Sequence, residues 1–410
     1  MQSVDWTAKG LWLAGAGVPD AEFAAAGHDL FDGPFTWPVM VARRSAIEAN
    51  IATMADFCTR HGVEFAPHGK TTMAPSLFAA QLAAGAWGIT VATANQALAA
   101  RHFGVPRVLL ANELLDPRAL CWAAAQVDVG WEFMCYVDSL AAVDALREAL
   151  GGSVGGSVGE STGGGGRLRV LVEMGFPGGR TGCRSVAEAF EVAHAAAALD
   201  RVEVAGVAGF EGMLPDAGAV TTFLTTMVNA AIQIAPLCPY PLIISAGGSA
   251  FFDTVVNVLV PPAHEDGWRV ILRSGAVVSH DDGLYAQSTP FNRVPQEGSL
   301  TAALEVWAQV LSTPETGLAI LGAGRRDVPF DSGLPVPLSV RAKDGTIRPL
   351  AGASIERLND QHAYLLRATL APGELVRLGI SHPCTAFDKW RVIPVVDDGY
   401  RVVDLLRTYF

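Results

Sequence analysis

The chain has 410 residues, half of them hydrophobic and 17% charged, which excludes a disordered or collagen-like protein and gives length for roughly two to three domains. Lysine and arginine total 29 against 41 acidic residues, and a net charge of −12 argues against nucleic acid or an anionic membrane as partner. Mean hydropathy is +0.30, yet no run approaches the roughly 18 uninterrupted apolar residues of a spanning helix.

At the start, the apolar patch Leu11 to Ala16 is too short for a secretory segment, so Met1 to Gly17 reads as part of the folded protein. Six cysteines (Cys58, Cys121, Cys135, Cys183, Cys238 and Cys384) lack paired spacing and read as reduced thiols of a cytoplasmic protein. From residue 37 onward, short β-branched runs alternate with alanine-rich helical patterns, the mark of βα units around a parallel sheet. Strands are expected at Val39 to Ala42, Val63 to Ala66, Gly88 to Ala92, Arg107 to Ala111, Glu132 to Val137, Leu168 to Glu173, Val202 to Phe210, Leu242 to Ser245 and Arg269 to Leu272. That is one more than a closed eightfold barrel takes. The fold class expected is α/β, a TIM-type (β/α)8 barrel over residues 37–275, with an open doubly wound sheet as the alternative.

Within that range residues 151–166 read GGSVGGSVGESTGGGG, an insertion expected to be flexible surface chain. After Gly275 the pattern changes to strands at Ala302 to Val310, Leu338 to Ala342, Ala363 to Arg367 and Val392 to Val396, with turn signals at Asp344-Gly345 and Asp398-Gly399. Residues 276–410 are therefore expected to form a second, β-rich domain, with residues 1–36 packing against it. Barrel sites lie at the C-terminal ends of the strands, so the residues that follow each strand deserve the closest reading.

Only four lysines are present, Lys9, Lys70, Lys343 and Lys389. Lys70 alone ends a barrel strand, in Pro67-His68-Gly69-Lys70-Thr71. Desolvation there lowers the pKa of an amine and favours the neutral form that attacks carbonyls. Ser245-Ala246-Gly247-Gly248-Ser249 lies between a strand and a helical pattern from Phe251, where backbone N–H groups can approach a phosphate. An ordinary turn reads the same way. His382 and Cys384, two apart, share one face if their segment is extended, and imidazole with thiolate favours zinc. A packed histidine beside a buried cysteine is the plainer alternative. His280-Asp281-Asp282 reads mainly as a turn.

In chain order these motifs resemble the fold-type III pyridoxal phosphate enzymes of the D-serine dehydratase and D-threonine aldolase group, related to alanine racemase. The lysine motif is followed by Val172-Glu173-Met174-Gly175, Arg180-Thr181-Gly182, Phe210-Glu211-Gly212, the glycine turn after Ser245, Arg273-Ser274-Gly275 with Asp281, Phe330-Asp331-Ser332-Gly333-Leu334-Pro335 and Ser381-His382-Pro383-Cys384. The resemblance implies that the first barrel strand is the one ending before Lys70, leaving Val39 to Ala42 as a lead-in outside the eight. It implies Lys70 as catalytic residue and covalent holder of pyridoxal 5'-phosphate. His68 would lie beside the cofactor, Arg180 at its ring, Glu211 orienting it, and Ser245, Gly247, Gly248 and Ser249 around its phosphate. His382 and Cys384 would hold Zn2+.

The activity so implied is dehydration of a D-3-hydroxy amino acid to a keto acid and ammonia, by a homodimer. Retro-aldol cleavage to glycine and an aldehyde is the alternative, and a racemase or a non-catalytic cofactor-binding protein ranks lower. Cysteine as second metal ligand tilts the reading to dehydration, since the aldolases of this group tend to carry aspartate there. Two departures bear on substrate and reaction: Thr71 is followed by Thr72 and Met73 where many relatives have His-Lys, and the Lys-Ala-x-Ala-Tyr pattern of alanine racemase is missing.

Overall fold

The computed structural model describes residues 2–151 and 166–410, so the glycine- and serine-rich stretch 152–165, with the flexibility expected of it, lies outside the described residues. The chain divides into two compact units, one of residues 55–70 and 81–275, the other of residues 1–54, 71–80 and 276–410.

The first unit carries eight parallel strands: β1 (Glu64–Phe65), β2 (Ile89–Val91), β3 (Arg107–Glu113), β4 (Glu132–Val137), β5 (Leu168–Met174), β6 (Val202–Gly209), β7 (Ile243–Ala246) and β8 (Arg269–Leu272). They are hydrogen-bonded in the order β1-β8-β7-β6-β5-β4-β3-β2. The two ends of that order meet, because Trp87 N–H donates to Phe65 O at 2.7 Å and Thr90 N–H to Pro67 O at 3.0 Å. The sheet thus curls into the expected barrel. Val, Ile and Leu dominate these strands because the ring of helices outside and the barrel core inside bury both faces, as in β6, where every residue is buried.

Leu109, Met134, Leu171, Ala205, Ile243 and Ile271 fill the interior. Gly206 sits at φ +145°, where an added Cβ would lie 2.0 Å from Ile243 O, so only glycine lets β6 and β7 close up. Helix starts are set by local chemistry. Asp116 accepts N–H bonds from Arg118 and Ala119 with Pro117 in the first turn, and Ser185 and Asp216 cap the helices that follow β5 and β6. Residues Ala217–Leu237 are long and apolar enough to cross a membrane by length and composition. The helix within them buries Val220, Phe223, Leu224, Met227, Ala230, Ala231 and Ile234, the stripe of a helix packed on one side.

In the second unit an antiparallel sheet runs Ile347–Pro349, Val336–Arg341, Leu375–Gly379, Leu304–Glu315, Leu318–Leu321, Ala363–Leu366, Ser354–Leu358. Val39–Arg43 joins it antiparallel to Leu304–Glu315 and parallel to Val392–Val396, which pairs with Val402–Arg407. With this pairing residues 37–54 belong to the β-rich unit, where a barrel start at residue 37 was expected; residues 71–80 belong to it as well. The N-terminal segment is tied in by an Arg407–Asp20 ion pair and by Lys9, which donates to Arg326 O (2.8 Å) and Asp327 Oδ1 (3.1 Å) over the Trp390 ring. Lys9 is therefore a structural tie. All six cysteines are free thiols.

Candidate functional site

Each barrel strand ends in loop-facing residues, and their side chains converge on a cavity of about 180 Å³. His68 and Lys70 follow β1, Ala92 follows β2, Ala111 and Asn112 end β3, Tyr136 lies on β4, and Glu173 on β5 precedes Arg180 and Thr181. Phe210, Gly248 and Arg273 come from the exits of β6, β7 and β8. Lys70 sits in a 3-10 turn, Gly69–Thr71, which points the chain back after the short β1.

Lys70, Arg180 and Arg273 bring three basic groups to this mouth. Arg180 lies 4.5 Å from the Phe210 ring, and Arg273, 6% exposed, donates to Ser245 Oγ and Gly209 O, both at 2.7 Å. Burial first, then Lys70, Arg273 and Arg180, hold the His68 pKa well below its usual value, so the ring is neutral. Burial likewise keeps the Tyr136 phenol protonated. His68 Nδ1, Tyr136 OH and Glu173 Oε2 are buried with no hydrogen-bond partner among the described residues. Unpaired buried polar atoms are costly, so three around one cavity mark where a polar ligand completes the bonding. Beside them, Glu113 at the end of β3 is pushed up to about 8 by burial and the Glu173 and Asp138 carboxylates.

The glycine turn differs from its expected role. Gly247 and Gly248 do not offer their N–H groups to the cavity, because the fully buried Glu211 carboxylate accepts both, at 3.2 and 2.6 Å. A buried carboxylate needs donors, and these two satisfy it. Glu211 thus shapes the turn and does not line the cavity, and Gly247, at φ +96°, holds a left-handed position suited to glycine. Ser245 Oγ donates to Ile271 O and accepts from Arg273, so it orients that arginine. Ser249 lies in the turn before the helix Phe252–Asp266 and is not among the cavity-lining residues. Lys70, His68, Arg180 and Gly248 are the expected site residues that meet at the cavity. Tyr136, Glu173, Phe210 and Arg273 join them; their signal in the sequence was position at or just after a strand's C-terminal end.

In the β-rich unit His382 is extended and Cys384 lies in the 3-10 turn Pro383–Thr385, so a turn, not strand alternation, sets the pair's geometry. His382 Nδ1 is 2.7 Å from Asp331 Oδ2, Thr385 Oγ1 donates to Asp331 Oδ1 at 2.8 Å, and Thr71 Oγ1 lies 3.8 Å from Cys384 Sγ. Hydrogen bonding to Cys384, then to Asp331, pushes the His382 pKa up to about 9 against the effect of burial. Among the described residues no group of three or more His, Cys, Asp or Glu side chains is arranged to hold a metal ion, so a metal here would rest on two protein donors. Asp281 accepts N–H bonds from Gly283, Tyr285 and Ala286, the turn role expected of it.

Residues 43–257 match the family model described as "Alanine racemase, N-terminal domain", and residues 303–396 match "Putative serine dehydratase domain". A D-threonine aldolase of Arthrobacter sp is 26% identical over 372 residues, 88% of this chain and 89% of that one. The crystal structure of D-threonine aldolase from Filomicrobium marinum shares the fold at TM-score 0.74 and 24% identity, over 92% of this chain and 95% of that one. D-threo-3-hydroxyaspartate dehydratase from Delftia sp. HT23 does so at TM-score 0.68 and 22% identity, over 91% and 97%. Structures of a D-threo-3-hydroxyaspartate dehydratase also share the fold, as variants at a histidine and at a cysteine two positions on, the latter described as metal-free. The chain belongs to the alanine racemase N-terminal domain family, within the fold-type III pyridoxal phosphate enzymes.

Proposed function

We propose that the protein is a pyridoxal phosphate- and zinc-dependent lyase that removes water from a D-3-hydroxy amino acid, giving a keto acid and ammonia. The observation that carries this reading is the cavity at the barrel mouth, where the Lys70 amine meets two arginines and three unpartnered polar atoms. Three basic groups suit an anionic ligand, an amine suits a carbonyl, and the Phe210 ring suits a planar one. Pyridoxal phosphate has all three properties.

When bound, the cofactor supplies an electron sink for charge developing at the substrate α-carbon. Lys70 Nζ is the amine that would hold the cofactor and, once free, would take the proton from the substrate α-carbon. Neutral His68 offers a hydrogen bond without adding charge, and Arg180, which lines the cavity, would donate to the ring's polar atoms. His382 and Cys384 would hold zinc, whose Lewis acidity makes a β-hydroxyl a better leaving group. Support for the metal comes from the donor chemistry and from the histidine and cysteine variants of a D-threo-3-hydroxyaspartate dehydratase, the latter variant described as metal-free.

Cleavage between Cα and Cβ is the second reading, favoured by the Arthrobacter aldolase that aligns over most of the chain. The two separate on product identity. D-threonine, D-serine and D-threo-3-hydroxyaspartate are incubated with the enzyme, with and without zinc. Formation of 2-oxobutanoate from D-threonine supports dehydration, whereas glycine and acetaldehyde establish cleavage. The same proposal includes a homodimer and a cytoplasmic location.

A further inference from the structure

We propose that Asp331 is the positioning residue of the metal pair: it fixes which nitrogen of His382 faces the metal and staples the turn that carries both donors. The inference rests on the zinc reading above. An imidazole has two ring nitrogens, and a metal can take only the one without a proton. Asp331 Oδ2 lies 2.7 Å from His382 Nδ1, so the proton of a neutral His382 stays on Nδ1 and Nε2 keeps its lone pair for zinc.

The other Asp331 oxygen accepts from Thr385 Oγ1 at 2.8 Å. One carboxylate therefore binds residues on both sides of Cys384 and holds the Pro383–Thr385 turn in the shape that sets the His382 to Cys384 spacing. With each oxygen so engaged, Asp331 is placed to act through the histidine and the turn. Thr71 Oγ1 lies 3.8 Å from Cys384 Sγ on the other side of the turn.

The segments meet independently of this carboxylate. Ser381 Oγ donates to Gly333 O at 2.7 Å, and Leu284 N–H donates to Ser381 O at 2.9 Å. Replacing Asp331 should therefore leave the fold intact while freeing the ring. Asp331→Asn is the sharpest change, since an amide turned to donate to Nδ1 places the ring proton on Nε2, the wrong atom for the metal.

The experiment is a zinc titration of the cofactor-loaded protein against a chromophoric chelator, for wild type, Asp331→Asn and Thr385→Val, with circular dichroism as the check on folding. Cobalt(II) is titrated in parallel to read the thiolate-to-metal absorption. Zinc binding roughly 10- to 100-fold weaker in Asp331→Asn, a smaller loss in Thr385→Val and a cobalt–thiolate band that persists at saturation would support the inference. Equal zinc affinity in wild type and both folded variants would overturn the role of Asp331 and leave the metal pair standing. No zinc uptake by wild type would instead overturn the metal reading, and this inference with it.

Discussion

The barrel mouth and the His382–Cys384 turn prepare for their ligands in opposite ways. At the mouth, His68 Nδ1, Tyr136 OH and Glu173 Oε2 are left without partners among the described residues, and the Arg180 guanidinium lies over the face of Phe210. At the turn, His382, Asp331, Thr385, Cys384 and Thr71 already form a chain of contacts. The mouth keeps polar capacity in reserve for a large ligand that brings many donors and acceptors. The turn spends its capacity on orienting two atoms for a small one. Apoprotein stability should therefore respond strongly to a ligand at the mouth and weakly to one at the turn.

The comparison breaks most readily at Lys70. Lys70→Ala should abolish the visible absorbance of the lysine-bound cofactor and all measurable turnover; an unchanged spectrum would remove the cofactor from this site. His382→Ala should keep that absorbance while turnover falls by about 100-fold or more, since neither His382 nor Cys384 lines the cavity at the mouth. Full activity of His382→Ala in the presence of a chelator would show that the turn has no part in the reaction.

Much of this contrast was legible in the sequence because both places announce themselves locally. Lys70 follows a short apolar run, and the barrel strands are β-branched runs between helical patterns, found within two residues of their expected ends. What escaped depends on contacts across sequence. Glu211 reaches glycines 36 and 37 positions on, and Asp331 reaches a histidine 51 positions on, which no local pattern encodes. Leu375–Gly379 was missed as a strand because Arg377 interrupts its apolar pattern. In the structure that arginine pairs with Glu305 on the neighbouring strand, so a charge inside the sheet is satisfied by tertiary pairing.

Glu211 tests how rigid the mouth must be. Its carboxylate is the shared acceptor of two turn amides at the exit of β7, so Glu211→Ala strands both donors in a buried site and should cost about 3 kcal/mol. Denaturant unfolding of the apoprotein measures this. A loss below about 1 kcal/mol would mean that the turn holds its shape without the acid.

The most specific expected effect is a pH dependence from Glu113. Burial and the neighbouring Glu173 and Asp138 carboxylates raise it from an ordinary 4.5 to about 8. Between those values the folded state holds a proton that the unfolded state has released. Stability therefore falls as pH rises through this window, is free of the penalty below about 4.5, and carries it in full above about 8. Glu113→Gln has the shape of the protonated acid and never ionises, so it removes that part of the slope. Melting temperatures of the apoproteins from pH 5 to 9 should coincide at the acid end and separate in favour of Glu113→Gln as pH rises, with the gap levelling above pH 8. Parallel curves would mean that Glu113 is ionised throughout, which would shift the charge balance of the mouth against an anionic cofactor.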